Sequence, residues 1–207
     1  MKYIQTICIA FSAFMLLSMT ANAQKGILQM KLNYNYGMPL GAFKSDLVSN
    51  NSPRGARGSI MYYFNDRFSA GVESGYQDYY QKYPRELYKL SGSQDVSAVL
   101  TNSIQTTPLL LKGSYSLLPT GSVKPYVSLG AGANLINFTQ YLGEFGGSDA
   151  SIGFLAQGGL GVMIPFKKSG SSGINIGASY DYAPYKKNGY NNLNTFNLQA
   201  GITFPIH

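Results

Sequence analysis

Five charged side chains sit at polar positions of otherwise apolar, alternating segments: Lys31, Arg57, Glu73, Lys112 and Asp181. Three cations and two carboxylates could form an ion network, line a passage that leans weakly toward anions, or serve acid–base chemistry. Carboxylate catalysis needs two acids paired across a substrate, and the nine Asp and Glu residues show no such spacing. A Ser or Thr nucleophile commonly relies on a positioned base, often His, yet the one histidine is the last residue, His207. The single cysteine, Cys8, falls in an N-terminal leader, which leaves no thiolate for a metal, a disulfide or a nucleophile. No acidic run has calcium-ligand spacing. These residues point away from an enzyme and imply no cofactor and no metal. An unpaired enclosed charge is costly, so mutual pairing is the expected use of the five.

Gly130-Ala131-Gly132 offers a different chemistry, because it follows an apolar run as a phosphate-cradling turn does. A dinucleotide fingerprint also needs a glycine where Leu135 stands, a helix behind it and a cytoplasmic address. The neighbours alternate instead, with Ser128, Gly130, Gly132 and Asn134 on one face and Val127, Leu129, Ala131, Ala133 and Leu135 on the other. That is the period of a strand with one wet and one greasy side.

The same alternation recurs along the chain. It predicts eight strands at about residues 28–36, 56–64, 68–80, 104–118, 124–136, 154–166, 174–182 and 196–206. Pro108 lacks an N–H and is expected at a bulge or above the paired region, leaving 109–118 as the spanning part. The connections at 65–67, 119–123 and 167–173 are short, whereas 38–55, 81–103, 137–151 and 185–194 are longer and polar. Short and long alternate, which puts all the short ones at one end.

The leader gives the address. Lys2, an apolar stretch from about Ile7 to Met19 and the small-x-small site at Ala21-Asn22-Ala23 predict a signal peptide over residues 1–23, cut before Gln24. Losing Lys2 takes the formal charge from +7 to +6, spread thinly with no basic block that would suit nucleic acid. No further run of roughly 18 apolar residues marks a helical span. Seventeen Tyr, 24 Gly and 12% charged residues form too small-featured and too uncharged a polar face for a soluble exterior. Residues 24–207 are therefore expected to form one domain, an all-β, eight-stranded antiparallel up-and-down transmembrane barrel of the bacterial outer membrane. An even strand count leaves both termini periplasmic and the long loops extracellular.

Threading the strands up and down groups the aromatic residues into two girdles. Phe64, Phe68, Phe166 and Phe204 fall near the periplasmic rim, and Tyr36, Tyr80, Phe154, Tyr182 and Phe196 near the outer rim. It also sets Glu73 beside Lys112 on neighbouring strands, and Lys31 with Asp181 two strands apart around the closure. The loop at 81–95 interleaves Lys82, Tyr83, Arg85, Tyr88 and Lys89, a composition able to grip a glycan, but on an outer loop it first meets anionic lipopolysaccharide.

The stretches TTPLLLKGSY (106–115), KPYVSLGAGANL (124–135) and GFLAQGGLGVMIPF (153–166), with the alternating final strand, make the mature chain resemble the small porin-like outer-membrane barrels of Gram-negative bacteria, particularly the PorT-like group. The resemblance implies structure and carries no catalytic signature. Its implied partners are outer-membrane lipid and lipopolysaccharide, the assembly machinery during biogenesis, and a surface or export-machine partner, with no nucleic acid. The expected role is a non-enzymatic structural or surface-interaction protein; the first alternative is a small-solute channel, for which the inward glycines leave water-filled space, and the second is an accessory subunit of an export machine, which the resemblance allows. Many such proteins end on an aromatic residue that aids assembly; this chain ends Phe204-Pro205-Ile206-His207, so Phe204 is the nearest aromatic.

Overall fold

Period-two alternation becomes a closed wall in the computed structural model, which describes residues 26–90, 94–143, 145–167, 170–187 and 190–206. The signal peptide, Cys8 and His207 lie outside those residues. Eight strands, β1 (Ile27–Pro39), β2 (Gly55–Tyr63), β3 (Phe68–Leu90), β4 (Gln94–Ser116), β5 (Lys124–Leu142), β6 (Phe145–Pro165), β7 (Gly173–Tyr182) and β10 (Thr195–Ile206), close in the order β1-β10-β7-β6-β5-β4-β3-β2. A separate ribbon pairs β8 (Lys186–Lys187) with β9 (Tyr190–Asn191). Every barrel pair is antiparallel, and the seam joins β1 to β10, with Leu28 opposite Ile206.

The register fixes the shape of the ring. Paired residues lead once round it from Leu28 through Tyr62, Ala70, Gly113, Leu129, Gly158, Tyr180 and Phe196 to Met38, ten residues further along β1. At ~3.3 Å per residue and ~4.8 Å between strands, that stagger tilts the strands by about 41° and sets a backbone radius of about 8 Å. Eight strands of this radius leave an interior that inward side chains can fill. Gly132 points inward for a reason other than space: a Cβ there would lie 2.1 Å from the carbonyl oxygen of Leu109 on β4. The glycine lets the tightly curved wall bring two backbones together.

The outer face carries the apolar residues. Leu129 and Ile152 are each 74% exposed, and Leu111, Leu160, Ile176 and Leu198 share that surface. Buried Asn, Gln, Ser and charged side chains occupy the inside. A contiguous apolar belt of this extent suits hydrocarbon, which takes the place of a core on that side.

Three expectations need correction. The connections at 81–103 and 137–151 are mostly strand: β3 and β4 run 23 residues each to within a few residues of one another, and β5 runs to Leu142 and β6 starts at Phe145. Two tall hairpins therefore rise from the ring where two long loops are expected. At ~2.5 Å of height per residue after tilting, β3 is about 57 Å tall, twice the ~25 Å apolar band of such barrels. The bulge lies at Tyr83 and Pro84, because the register of β3 with β4 shifts between Lys82 and Arg85. Pro108 stays in the wall, paired with Asn134 of β5; its missing N–H shows only as a gap in the β3 ladder between Ser74 and Gln77.

At one end the turns are short. Asn65 Oδ1 accepts the N–H groups of Arg67 (2.9 Å) and Phe68 (2.7 Å), a local bond that folds the β2–β3 turn. At the other end, residues 40–54 carry a single π-helical turn, Phe43–Leu47, and residues 183–194 carry the β8–β9 ribbon. We call these the turn end and the loop end.

Candidate functional site

The only enclosed polar chemistry in the described residues is the lumen, and its side chains are layered along the barrel axis. Odd-numbered residues of β1 point inward, so Lys31, Asn33 and Asn35 stack at successive heights, while Arg57 on β2, Glu73 on β3 and Asp181 on β7 enter from other walls.

Four of the five lumen charges form one cluster. Lys112 Nζ donates to Glu73 Oε2 at 2.6 Å and Arg57 Nη1 to Glu73 Oε1 at 3.3 Å. Arg57 Nη2 crosses the lumen to Asp181 Oδ2, and Gln157 Nε2 donates to Asp181 Oδ1 at 3.1 Å. All four carboxylate oxygens are thereby engaged. Arg57, Glu73 and Asp181 are each less than 10% exposed, so these bonds replace the hydration the charges lost.

Lys31, expected as the fifth member of the network, stands apart and makes no ion pair among the described residues. Thr203 faces Lys31 and Thr195 faces Asp181 on the shared neighbour β10; once tilt is counted, the two charges differ by roughly 14 Å in height. The Lys31 ammonium instead lies 4.5 Å from the centroid of the Tyr126 ring. Tyr126 is held by its hydroxyl, which donates to Asn175 Oδ1 at 2.7 Å, and Asn175 Nδ2 donates to Asn33 Oδ1 at 3.0 Å.

Above the ion cluster an amide layer ties the barrel to its first loop. Asn35 Nδ2 donates to Gln77 Oε1 (2.8 Å) and Asn197 Oδ1 (3.0 Å), and Gln77 Nε2 donates to Ser52 Oγ (2.7 Å). Over that layer lies a dry plug. Phe43, Leu47 and Val48 of the loop pack with Tyr79, Ile104, Ile136 and Leu155 from the walls and Leu193 from the last loop, and the rings of Phe43 and Tyr79 meet edge-on at 4.9 Å. Asn102 Nδ2 and the Tyr83 hydroxyl each donate to the Leu47 carbonyl oxygen at 3.1 Å, fixing the end of the π turn.

What space is left is small. Two gaps of about 10 Å³ each lie beside Arg57 and Asp181 and beside Glu73 and Lys112, and each holds at most one water. A larger cavity of about 260 Å³ opens among the turns, lined by Gln29, Lys31, Tyr63, Ser114, Lys124 and Tyr126 with residues of all three turns. Among the described residues no His, Cys, Asp and Glu group has metal-site geometry.

The aromatic residues fall into two bands when heights are counted with the tilt. Phe64, Phe68, Phe166 and Phe204 lie toward the turn end, and Tyr36, Tyr80, Phe154, Tyr182 and Phe196 roughly 25 Å above them. Phe64 also touches Tyr62 (5.0 Å) and Phe68 (5.8 Å). Lys82 and Arg85 are exposed on the tall β3–β4 hairpin; the side chains of Tyr88 and Lys89 lie outside the described residues. Sequence reasoning missed the plug, although Phe43, Leu47 and Val48 are three apolar residues at helical spacing inside a polar loop. It also missed Tyr126 as the support of Lys31, since no local pattern joins residues so far apart.

Comparison with known proteins places this architecture. The family model described as "Outer membrane protein beta-barrel domain" matches residues 7–204. Among solved structures, the outer membrane protein OprG from Pseudomonas aeruginosa is 13% identical with a TM-score of 0.50, over 89% of this chain and 98% of that one. Neisserial surface protein A (NspA) is 18% identical with a TM-score of 0.49, over 90% of this chain and 100% of that one. The N-terminal β-barrel domain of Pseudomonas aeruginosa OprF is 17% identical with a TM-score of 0.47, over 88% and 100%. No curated protein sequence matches the chain. The match is to the broad family, and the narrower PorT-like likeness rests on the sequence stretches alone.

Proposed function

The chain belongs to the outer-membrane β-barrel domain family, and from that premise we propose that it is a closed, non-enzymatic barrel whose work is done at the cell surface by its tall hairpins and its loops. Both termini and the short turns face the periplasm, and the loop end faces outward. The two aromatic bands serve as interface girdles, and the ion cluster serves structure. The observation that carries this reading is the filled lumen: an ion cluster, an amide layer and an apolar plug in series, with gaps of only about 10 Å³ on either side of the cluster.

A small-solute channel would need a continuous wet path, and the plug of Phe43, Leu47 and Val48 lies across it. The four clustered lumen charges, already engaged with one another, also offer a substrate no free acid or base. Planar-bilayer recording tests the proposal: the purified barrel is expected to give no discrete conductance steps, and reproducible single-channel openings would overturn it. The export-accessory role of the PorT-like likeness makes a different demand, a partner that co-purifies stoichiometrically from outer membranes. Without such a partner, surface interaction is the better account of hairpins that stand well clear of the apolar band.

A further inference from the structure

We propose that the vestibule at the turn end is a binding site for a small oxyanion, a carboxylate or phosphate group, seated on Lys31. Lys31 is 7% exposed, yet it takes part in no ion pair among the described residues. Neither lumen carboxylate lies within ion-pair distance of it: Glu73 is turned to Arg57 and Lys112, and Asp181 to Arg57 and Gln157. The face of Tyr126 supplies only part of the missing counter-charge.

Lys31 lines two spaces of unequal size. Lys31, Ser114 and Tyr126 line both the vestibule and the tiny gap beneath the ion cluster, so they form the floor between the two. The vestibule, at about 260 Å³, has room for an oxyanion with some of its water, whereas the gap does not. Gln29, 6% exposed and also on the lining, has a buried Oε1 without a hydrogen-bond partner; its amide can turn to donate through Nε2. Lys124 adds a second cation at the rim, and Asp66, in an exposed turn, is the one carboxylate there. Two cations to one acid, with the buried cation in no ion pair, select a monoanionic or dianionic oxygen ligand over a neutral or cationic solute. The orientation proposed above makes that ligand periplasmic; the binding itself does not depend on whether the barrel conducts.

Calorimetric titration of the mature barrel in lipid nanodiscs with inorganic phosphate and with acetate, at constant ionic strength held by chloride, tests the site. Wild type is expected to bind at least one of the two saturably with one site per barrel. Lys31→Met should weaken that binding at least tenfold, Lys31→Arg should hold it within about threefold, and Lys124→Met should weaken it by a few-fold at most. Preference for phosphate identifies a phosphate source and preference for acetate a carboxylate source. Should Lys31→Met fail to fold, Gln29→Leu reads the same cavity, with an expected loss of at least threefold. The proposal is overturned if neither anion saturates below 50 mM, or if Lys31→Met, or in its place Gln29→Leu, binds as wild type does. Since conductance does not enter this test, a failed closed-barrel reading and a failed anion site give different results.

Discussion

At Arg57 a single guanidinium answers two carboxylates, Glu73 and Asp181, both walled off from water. Replacing it by methionine leaves Asp181 without its cation and Glu73 with Lys112 alone, and removing one member of a buried pair typically costs about 3–5 kcal/mol. Arg57→Met is therefore expected to lower unfolding stability in denaturant by an amount of that order. By contrast, Arg54→Ala, which breaks an ion pair to Asp78 from a side chain 61% exposed, should change stability by about 1 kcal/mol or less. That the five lumen charges point inward is legible from alternation alone. Which charge meets which is not, because partner choice depends on the ten-residue stagger of the ring, and stagger leaves no mark on any single segment. Lys31 and Asp181 lie only two strands apart, yet the register sets them opposite Thr203 and Thr195 of β10, at different levels of the barrel.

Strands and turns divide in the same way. Apolar alternation marks a strand only where hydrocarbon touches it. On β4 the outward residues change from Leu111 and Leu109 to Thr107, Gln105, Ser103 and Thr101, so the signal stops while the hydrogen-bonded ladder continues. Thus the spanning parts of the elements are readable, whereas the tall ends of β3 to β6 look like loops. The glycines of those walls differ by position. A Cβ on Gly132 would collide with the Leu109 carbonyl, whereas one on Gly113, which faces outward, would meet nothing within 4 Å. Gly132→Ala is expected to reduce the folded fraction by at least tenfold near the midpoint of a urea titration, and Gly113→Ala to leave that midpoint unchanged. In the loop, Phe43 is fully buried in the plug, and truncating such a ring costs about 3–5 kcal/mol. Phe43→Ala should thus expose residues 40–54 to protease while the barrel stays resistant, a difference read by limited proteolysis.

For the molecule as a whole, closure of the lumen rests on two separate layers, and the two should fail independently. Removing the plug alone, by replacing residues 42–50 with a short glycine–serine linker, leaves the ion cluster across the lumen. That variant is expected to stay silent in bilayer recordings, and steps of conductance would place the seal in the plug alone. Composition and alternation made the class of fold legible because a membrane inverts the usual arrangement of apolar and polar faces. The filling of the lumen was not legible, since inward glycines read as empty space until the curvature of the wall shows neighbouring backbone occupying it.

The seam between β1 and β10 also orders events in time. Leu28 meets Ile206 there, so the seam cannot form until nearly the whole described chain is in place, whereas each hairpin can pair as soon as its own two strands exist. Contacts this distant in sequence are slow to find. Arg57 and Asp181, 124 residues apart, meet only when the sheet has curled far enough to bring β2 opposite β7. Until that moment the chain carries an arginine with nothing to cross to, which makes the half-closed sheet the least comfortable state on the way into the membrane and the closed ring the first in which every lumen carboxylate is satisfied.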